Sequence, residues 1–206
     1  MKSFIKKFLA VAVACVSMIS VMALTACGGN KDNNVYTFEA ELCCADEWAG
    51  GGWSGSANGT NLIKKHSRAS GGRYLTYTWS PELTVNFEIT AVEDTTANLS
   101  LRLSNELSEA VTLNTERFTV KVNGTVLEYT PFDLYASSSD SFEATRFDDY
   151  SVGEISLNQG ANVISLIVGE WSFDGGAHYF GPVIDAIKLK SDVKLSMMKY
   201  MENIQD

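Results

Sequence analysis

Alternation of apolar and polar residues is the feature of this sequence that most limits its fold. Apolar side chains occupy every second position in residues 85–89, 99–103 and 118–122. A period of two places one set of side chains in a core and the other toward solvent, as in half-buried β-strands. Helical periodicity is almost absent, so the sequence predicts an all-β fold.

Turn signals between these stretches favour antiparallel pairing. Asn123-Gly124 suits a two-residue hairpin, and Asn158-Gln159-Gly160 precedes an apolar strand at residues 163–168. A last strand is expected at residues 183–189. Many short strands with turns between them predict one antiparallel β-sandwich over residues 35–190. Residues 191–206 are expected to form a C-terminal tail, whose apolar spacing favours a short amphipathic helix.

The N-terminus has the pattern of a targeting segment. Lys2, Lys6 and Lys7 precede an uncharged, largely apolar run over residues 8–26, which is the order found in secretory signal peptides. The run ends in Leu24-Thr25-Ala26-Cys27, which resembles the lipobox of bacterial lipoproteins. That resemblance implies cleavage after residue 26, a lipid on Cys27, and a short tether over residues 27–34. The alternative is an uncleaved membrane anchor.

The charge balance limits the partners of the chain. Its net charge is -9, and without residues 1–26 it has 13 basic against 25 acidic residues. An acidic body repels phosphate backbones and anionic lipid, so no nucleic acid is expected, and the membrane is contacted through the lipid alone. Two cysteines, Cys43 and Cys44, are adjacent in the remaining sequence and are expected to be small buried thiols.

Three acidic residues stand in positions that need an explanation. Glu39 and Glu41 flank Ala40 in an expected strand over residues 36–41, which puts both carboxylates on one face, roughly 6.5–7 Å apart. Such a pair serves either as oxygen ligands for Ca²⁺ or as the solvated face of an edge strand. Asp185 lies in an otherwise apolar strand, where its charge requires a donor or a cation.

Five ordered blocks of the sequence resemble carbohydrate-binding module families 6 and 35. They are YTFEAE at 36–41, SGGRYL at 70–75, VKVNG at 120–124, LNQGANVI at 157–164 and GPVIDAI at 181–187. The resemblance implies a jelly-roll, galactose-binding-like β-sandwich with a structural Ca²⁺. By position, the implied metal ligands are Glu39, Glu41, Asp185 and the backbone carbonyl of Arg73.

Sugar binding requires an aromatic platform and a few hydrogen-bonding groups. Two aromatic-rich loops, at residues 46–53 and 171–180, offer such platforms. The resemblance adds an aromatic residue after the Gly-Gly turn and one before the last strand. Many members of the families also carry an Asn where this chain has Val183. The candidate ligand-binding residues are Trp48, Trp53, Tyr74, Tyr77, Trp171, His178 and Tyr179.

The sequence therefore predicts non-catalytic binding of an oligo- or polysaccharide by a secreted lipoprotein on the outer face of a bacterial cell membrane. Enzyme motifs are weak: the chain has two histidines, too few for a convincing zinc site, and no Gly-x-Ser-x-Gly elbow. No catalytic residue is therefore expected. The alternative is a protein-interaction or adhesin module on the same sandwich, without sugar binding.

Overall fold

The computed structural model describes residues 34–43, 62–76, 78, 83–137, 144, 146–169 and 181–197. These residues form thirteen strands and one 3-10 helix, Ala40–Cys43, which follows the first strand. The strands are β1 (Val35–Glu39), β2 (Ile63–Lys65), β3 (Arg73–Leu75), β4 (Thr84–Ala91), β5 (Thr95–Ser104), β6 (Val111–Leu113), β7 (Phe118–Val122), β8 (Thr125–Leu127), β9 (Phe132–Leu134), β10 (Asp148–Leu157), β11 (Gly160–Val168), β12 (Val183–Lys190) and β13 (Leu195–Met197).

The first sheet is built around the last long strand. Its order is β10–β5–β12–β3–β2, and β1 also pairs with β12. Every pairing is antiparallel. The pairing of β1 with β12 places Glu39 opposite Ala186, whereas β3 meets β12 where Leu75 lies opposite Ile184. The end of the first strand, β1, and the segment that contains β3 therefore both lie against the middle of β12.

The second sheet covers the inner face of the first. Its order is β13–β4–β11–β7–β8, and β6 and β9 form a separate two-stranded ribbon. In β4, Val85, Phe87 and Ile89 are fully buried, while Asn86 and Thr90 are exposed. Burying a side chain such as that of Phe or Ile contributes roughly 1.5–3 kcal/mol. The predicted all-β, antiparallel, jelly-roll sandwich is confirmed.

The predicted turns are present and depend on special backbone angles. Asn123 and Gly124 have φ angles of 50° and 83° and join β7 to β8. Two residues with positive φ form a hairpin turn whose twist matches that of the flanking strands. The buried side chain of Asn162 fixes the next turn: its amide nitrogen donates to the Asn158 carbonyl at 2.8 Å, and its oxygen accepts from the Asn158 N–H at 2.9 Å.

Two expectations about the ends of the domain are corrected. The first strand ends at Glu39 rather than at residue 41, because the chain leaves β12 and turns into the 3-10 helix. The tail forms a strand, not a helix, at Leu195–Met197, where it pairs with β4. The physical reason is the edge of β4, whose unpaired backbone groups a short extended segment can satisfy while Leu195 is buried.

A small apolar group packs against the outer face of the first sheet. Tyr74 and Val183 belong to it, whereas their neighbours Leu75 and Ile184 belong to the main core on the other face. We call it the outer-face cluster; its members are Ala69, Tyr74, Ala144, Phe147 and Val183.

Two smaller points complete the fold. Cys43 is buried, as expected, and Cys44 lies outside the described residues. In the part of the chain described above, no helix is both long and apolar enough to cross a membrane.

Candidate functional site

Three carboxylates meet at the turn before β3. A Cβ placed on Gly71 would lie 2.7 Å from Oε1 of Glu41 and 3.3 Å from Cδ of Glu39. The Ser70 hydroxyl donates to Glu39 Oε1 at 3.0 Å, and the Ser70 N–H donates to both oxygens of Asp185 at 3.0 Å. The turn therefore gathers the three acidic residues that the sequence singled out. Glycine at position 71 leaves the space that the two glutamates occupy.

Asp185 is fully buried and has its own charge partners. It lies where the register of β12 against β5 shifts, between Ile184 and Ala186. Its Oδ2 accepts from Arg102 Nε at 2.7 Å, in addition to the bonds from Ser70. Arg102 also approaches Asp149 at 3.4 Å. The donor required by a buried aspartate is thus present, and it comes from the neighbouring strand β5.

The two glutamates are compensated less well than Asp185. Oε2 of Glu39 and Oε2 of Glu41 are both buried and have no hydrogen-bond partner among the residues that the structure describes. Burial, together with the nearby charges of Glu39 and Asp185, raises the pKa of Glu41 from 4.5 to about 8. Burial also raises the pKa of Glu39, although the hydrogen bond from Ser70 opposes it. Two buried carboxylate oxygens without a described partner at one turn need either a proton or a cation.

The described side chains do not form a finished metal cage. Among the residues with described positions, no group of three or more His, Cys, Asp or Glu is arranged as it stands to hold a metal ion. The engagement of Asp185 by Ser70 and Arg102 offers a physical reason, because both of its oxygens already accept hydrogen bonds. Arg73 begins β3 directly after the turn, and its charge lowers the pKa of Glu41. A ligand role for its carbonyl stays a prediction.

The structure does not support an aromatic platform at Tyr74. Its side chain is 2% exposed and packs within the outer-face cluster, with its ring centroid 5.3 Å from that of Phe147. The ring therefore fills a small core and presents no open face to a ligand. The other aromatic, histidine and lipidation candidates lie outside the described residues; they are Cys27, Trp48, Trp53, Tyr77, Trp171, His178 and Tyr179.

A second polar group, missed by the sequence reasoning, lies at the C-terminal ends of β3 and β5 and at the start of β12. The Thr76 hydroxyl donates a short hydrogen bond to Glu106 Oε1. The Thr78 hydroxyl donates to the Pro182 carbonyl at 2.6 Å. Glu106 and Ser104 are buried, and within the described part of the chain Glu106 Oε2 and Ser104 Oγ have no hydrogen-bond partner. The sequence signal that could have indicated this group is the polar stretch Ser104-Asn105-Glu106, which follows the apolar residues of β5.

Val183 lies between these polar residues. It is 1% exposed, its backbone pairs with Ser104, and its side chain belongs to the outer-face cluster. Val183, where the resemblance led us to expect a polar Asn, is therefore a packing residue in this chain. Ser70 and Arg102 were also missed, because neither lies beside the three acidic residues in the sequence.

Comparison with known proteins gives likenesses of structure only. No family model matches the chain, and no curated protein matches it. A family 35 carbohydrate binding module from an environmental isolate aligns with a TM-score of 0.51 at 21% identity, over 80% of this chain and 98% of that one. The chain therefore has the β-sandwich fold of such a module.

Two further likenesses are weaker. A family 35 carbohydrate binding module from Clostridium thermocellum aligns with a TM-score of 0.48 at 17% identity, over 75% of this chain and 96% of that one. The Podospora anserina GH26-CBM35 β-(1,4)-mannanase aligns with a TM-score of 0.49 at 17% identity, over 79% of this chain. This chain spans 28% of the length of that mannanase.

Proposed function

We propose that this protein is a non-catalytic carbohydrate-binding module. The observation that carries the proposal is the likeness of its sandwich to a family 35 carbohydrate binding module over 98% of that module. The aromatic-rich segments at residues 46–53 and 171–180 support it, because stacking on the apolar face of a pyranose requires aromatic rings. Trp48, Trp53, Trp171 and Tyr179 are the proposed platform residues; His178, which directly precedes Tyr179, and Tyr77 are the further candidates.

A structural Ca²⁺ belongs to the same proposal. Glu39 and Glu41 would hold it through the oxygens that have no partner, with Asp185 and the carbonyl of Arg73 completing the site. Hard oxygen ligands and two uncompensated carboxylates suit Ca²⁺. When bound, the ion would supply the positive charge that these buried oxygens lack. It would also tie β1 to β12 and so stabilise the fold by binding the native state alone.

The proposed location is the outer face of a bacterial cell membrane. It rests on the basic and apolar segment of residues 1–26 and on Cys27 as the lipid attachment site. Labelling of cells with a radioactive or alkyne fatty acid should mark the wild-type protein. A Cys27→Ser variant should remain unlabelled; labelling of that variant would exclude Cys27 as the modified residue.

Binding to a glycan microarray, followed by calorimetry with the best ligands, tests the carbohydrate proposal. Trp48→Ala, Trp53→Ala, Trp171→Ala and Tyr179→Ala should be compared with Val92→Ala, an exposed apolar residue after β4 that serves as the control. At least one aromatic variant should bind about tenfold or more weakly while its melting temperature stays unchanged. A wild-type protein that binds no glycan would favour the protein-interaction alternative.

A further inference from the structure

The second buried polar group requires a partner that the described residues do not supply. Four buried side-chain oxygens in the described part of the chain have no hydrogen-bond partner. Two of them belong to Glu39 and Glu41. The other two are Ser104 Oγ and Glu106 Oε2, on residues that are 3% and 2% exposed. Leaving a buried polar group unsatisfied costs about 1–3 kcal/mol, and more when the group is charged.

The position of this pair is fixed by the ends of three neighbouring strands. Ser104 lies opposite Val183, at the end of β5 and the start of β12. Leu75 lies opposite Ile184, so Thr76 follows on the other flank of β12. The hydrogen bond from Thr76 to Glu106 therefore holds the carboxylate close to Val183.

The residues just before β12 pack closely against Thr78. The Thr78 hydroxyl holds the Pro182 carbonyl at 2.6 Å. A Cβ at Gly181 would lie 1.8 Å from the Thr78 carbonyl oxygen, which shows how closely the two backbones approach. Glu106 has one oxygen engaged by Thr76, and the other has no donor among the described residues. This is the arrangement of a preorganised acceptor.

The chemistry of the pair restricts its ligand. Glu106 Oε2 is an acceptor, and Ser104 Oγ can both donate and accept. A hydroxyl group on a sugar meets both requirements, since it donates one hydrogen bond and accepts others. A carboxylate on the ligand would face the carboxylate of Glu106 at short range. Burial raises the pKa of Glu106, whereas the hydrogen bond from Thr76 and the charge of Lys64 lower it.

We propose that Glu106 and Ser104 form a subsite that hydrogen-bonds a hydroxyl of a neutral sugar and selects against uronic acids. This inference rests on the proposed carbohydrate-binding function and names its sugar class. The side chain of Val183 has no polar atom, so a polar contact at this point would come from Ser104 and Glu106 at the end of β5. An acidic body with net charge -9 acts in the same direction, because it repels anionic glycans at longer range.

Calorimetry with matched neutral and uronic-acid oligosaccharides tests the subsite. The wild-type protein should bind the neutral member of each pair more tightly. Glu106→Gln should weaken neutral-sugar binding about tenfold, which corresponds to about 1.4 kcal/mol, and Ser104→Ala should weaken it less. Glu154→Gln is the matched control, because Glu154 is exposed and pairs with Asn98 toward the opposite end of β5.

The outcomes separate this inference from the proposed function. If the wild-type protein binds sugars but Glu106→Gln binds them equally well, the subsite is overturned and the carbohydrate function stands. Tighter binding of uronic-acid ligands by the wild-type protein also overturns it. Failure to bind any glycan overturns both proposals. Melting temperatures of Glu106→Gln and Ser104→Ala at or above that of the wild type would establish that a loss of affinity is not a loss of folding.

Discussion

Replacing Gly71 by alanine perturbs the proposed calcium site without removing any of its ligands. The new Cβ would lie 2.7 Å from Glu41 Oε1, whereas ordinary contacts begin at 3.4 Å, so the oxygen must retreat by about 0.7 Å. Cδ and Cγ of Glu39, both at 3.3 Å, are crowded less. The crowded atoms are the ends of flexible side chains, so the cost to folding should be low, about 1 kcal/mol.

The cost to calcium binding should be larger than the cost to folding. Ca²⁺ holds its oxygen ligands at about 2.3–2.6 Å, and a displacement of about 0.7 Å is large on that scale. For the wild-type protein, a free Ca²⁺ concentration of about 100 times Kd adds about 2.7 kcal/mol of stability. In a domain of this size that raises the melting temperature by roughly 5–11 °C. Gly71→Ala should lose most of this rise.

Gly72→Ala is the matched control. Gly72 has a φ of 78°, and a Cβ there would meet nothing within 4 Å. Alanine should therefore destabilise the fold by about 1–2 kcal/mol through backbone strain alone. Melting curves of the wild type and both variants, recorded in EDTA and in Ca²⁺, give the increment for each. The control should melt lower in both conditions but keep the wild-type increment.

Two results would refute this reasoning. A wild-type melting temperature that is the same in EDTA and in Ca²⁺ would remove the calcium proposal itself. A Gly71→Ala variant that keeps the full wild-type increment would remove the claim that the ion lies against this turn.

Two further predictions concern stability alone. Asn162→Ala removes four hydrogen bonds made by a side chain that is 1% exposed, so urea denaturation should give a loss of about 2–4 kcal/mol. Glu106→Gln should raise the free energy of unfolding near neutral pH, because burial raises the pKa of Glu106 above 4.5 although Thr76 and Lys64 lower it. Wild-type stability rises as pH falls through that raised pKa, so the advantage of glutamine should shrink toward pH 4.5 in thermal melts.

The sheet architecture could be predicted because its signals are local. A period of two in β4, β5 and β7 sets which side chains face the core, and Asn123-Gly124 sets the register of one hairpin. The tail strand could not be predicted in this way. Leu195–Met197 is extended only because the edge of β4 lies beside it, and that neighbour is about a hundred residues away in sequence.

The candidate site, like the fold, could be predicted only in part. Glu39 and Glu41 were singled out because their two-residue spacing puts both carboxylates on one face of an expected strand, and Asp185 because an acidic residue in an apolar strand needs a partner. Their convergence on Gly71 and Ser70 depends on the turn before β3, which no local pattern fixes. Tyr74 was assigned to a ligand site because of its position after two glycines, but the direction of its side chain places it in the outer-face cluster.

The charges at the turn allow a second test of the calcium site, in which the calcium-dependent rise in melting temperature should increase instead of decrease. Arg102 pairs with Asp185, so the two glutamates, when both are ionised, carry a formal charge of -2, the complement of a divalent cation. Arg102→Met removes this compensation while the Ser70 N–H still holds Asp185. The calcium-free protein should lose about 3 kcal/mol, because the Asp185 carboxylate stays fully buried without its partner.

The calcium-dependent rise in melting temperature should then exceed that of the wild type, since a more negative site attracts the cation more strongly. Arg102→Lys is the conservative control: it keeps the positive charge, and its increment should stay close to that of the wild type. An increment for Arg102→Met that is smaller than the wild-type value would contradict the charge balance. It would instead make Arg102 a positioning residue, which acts through Asp185 and through the Arg68 carbonyl that it holds at 3.1 Å.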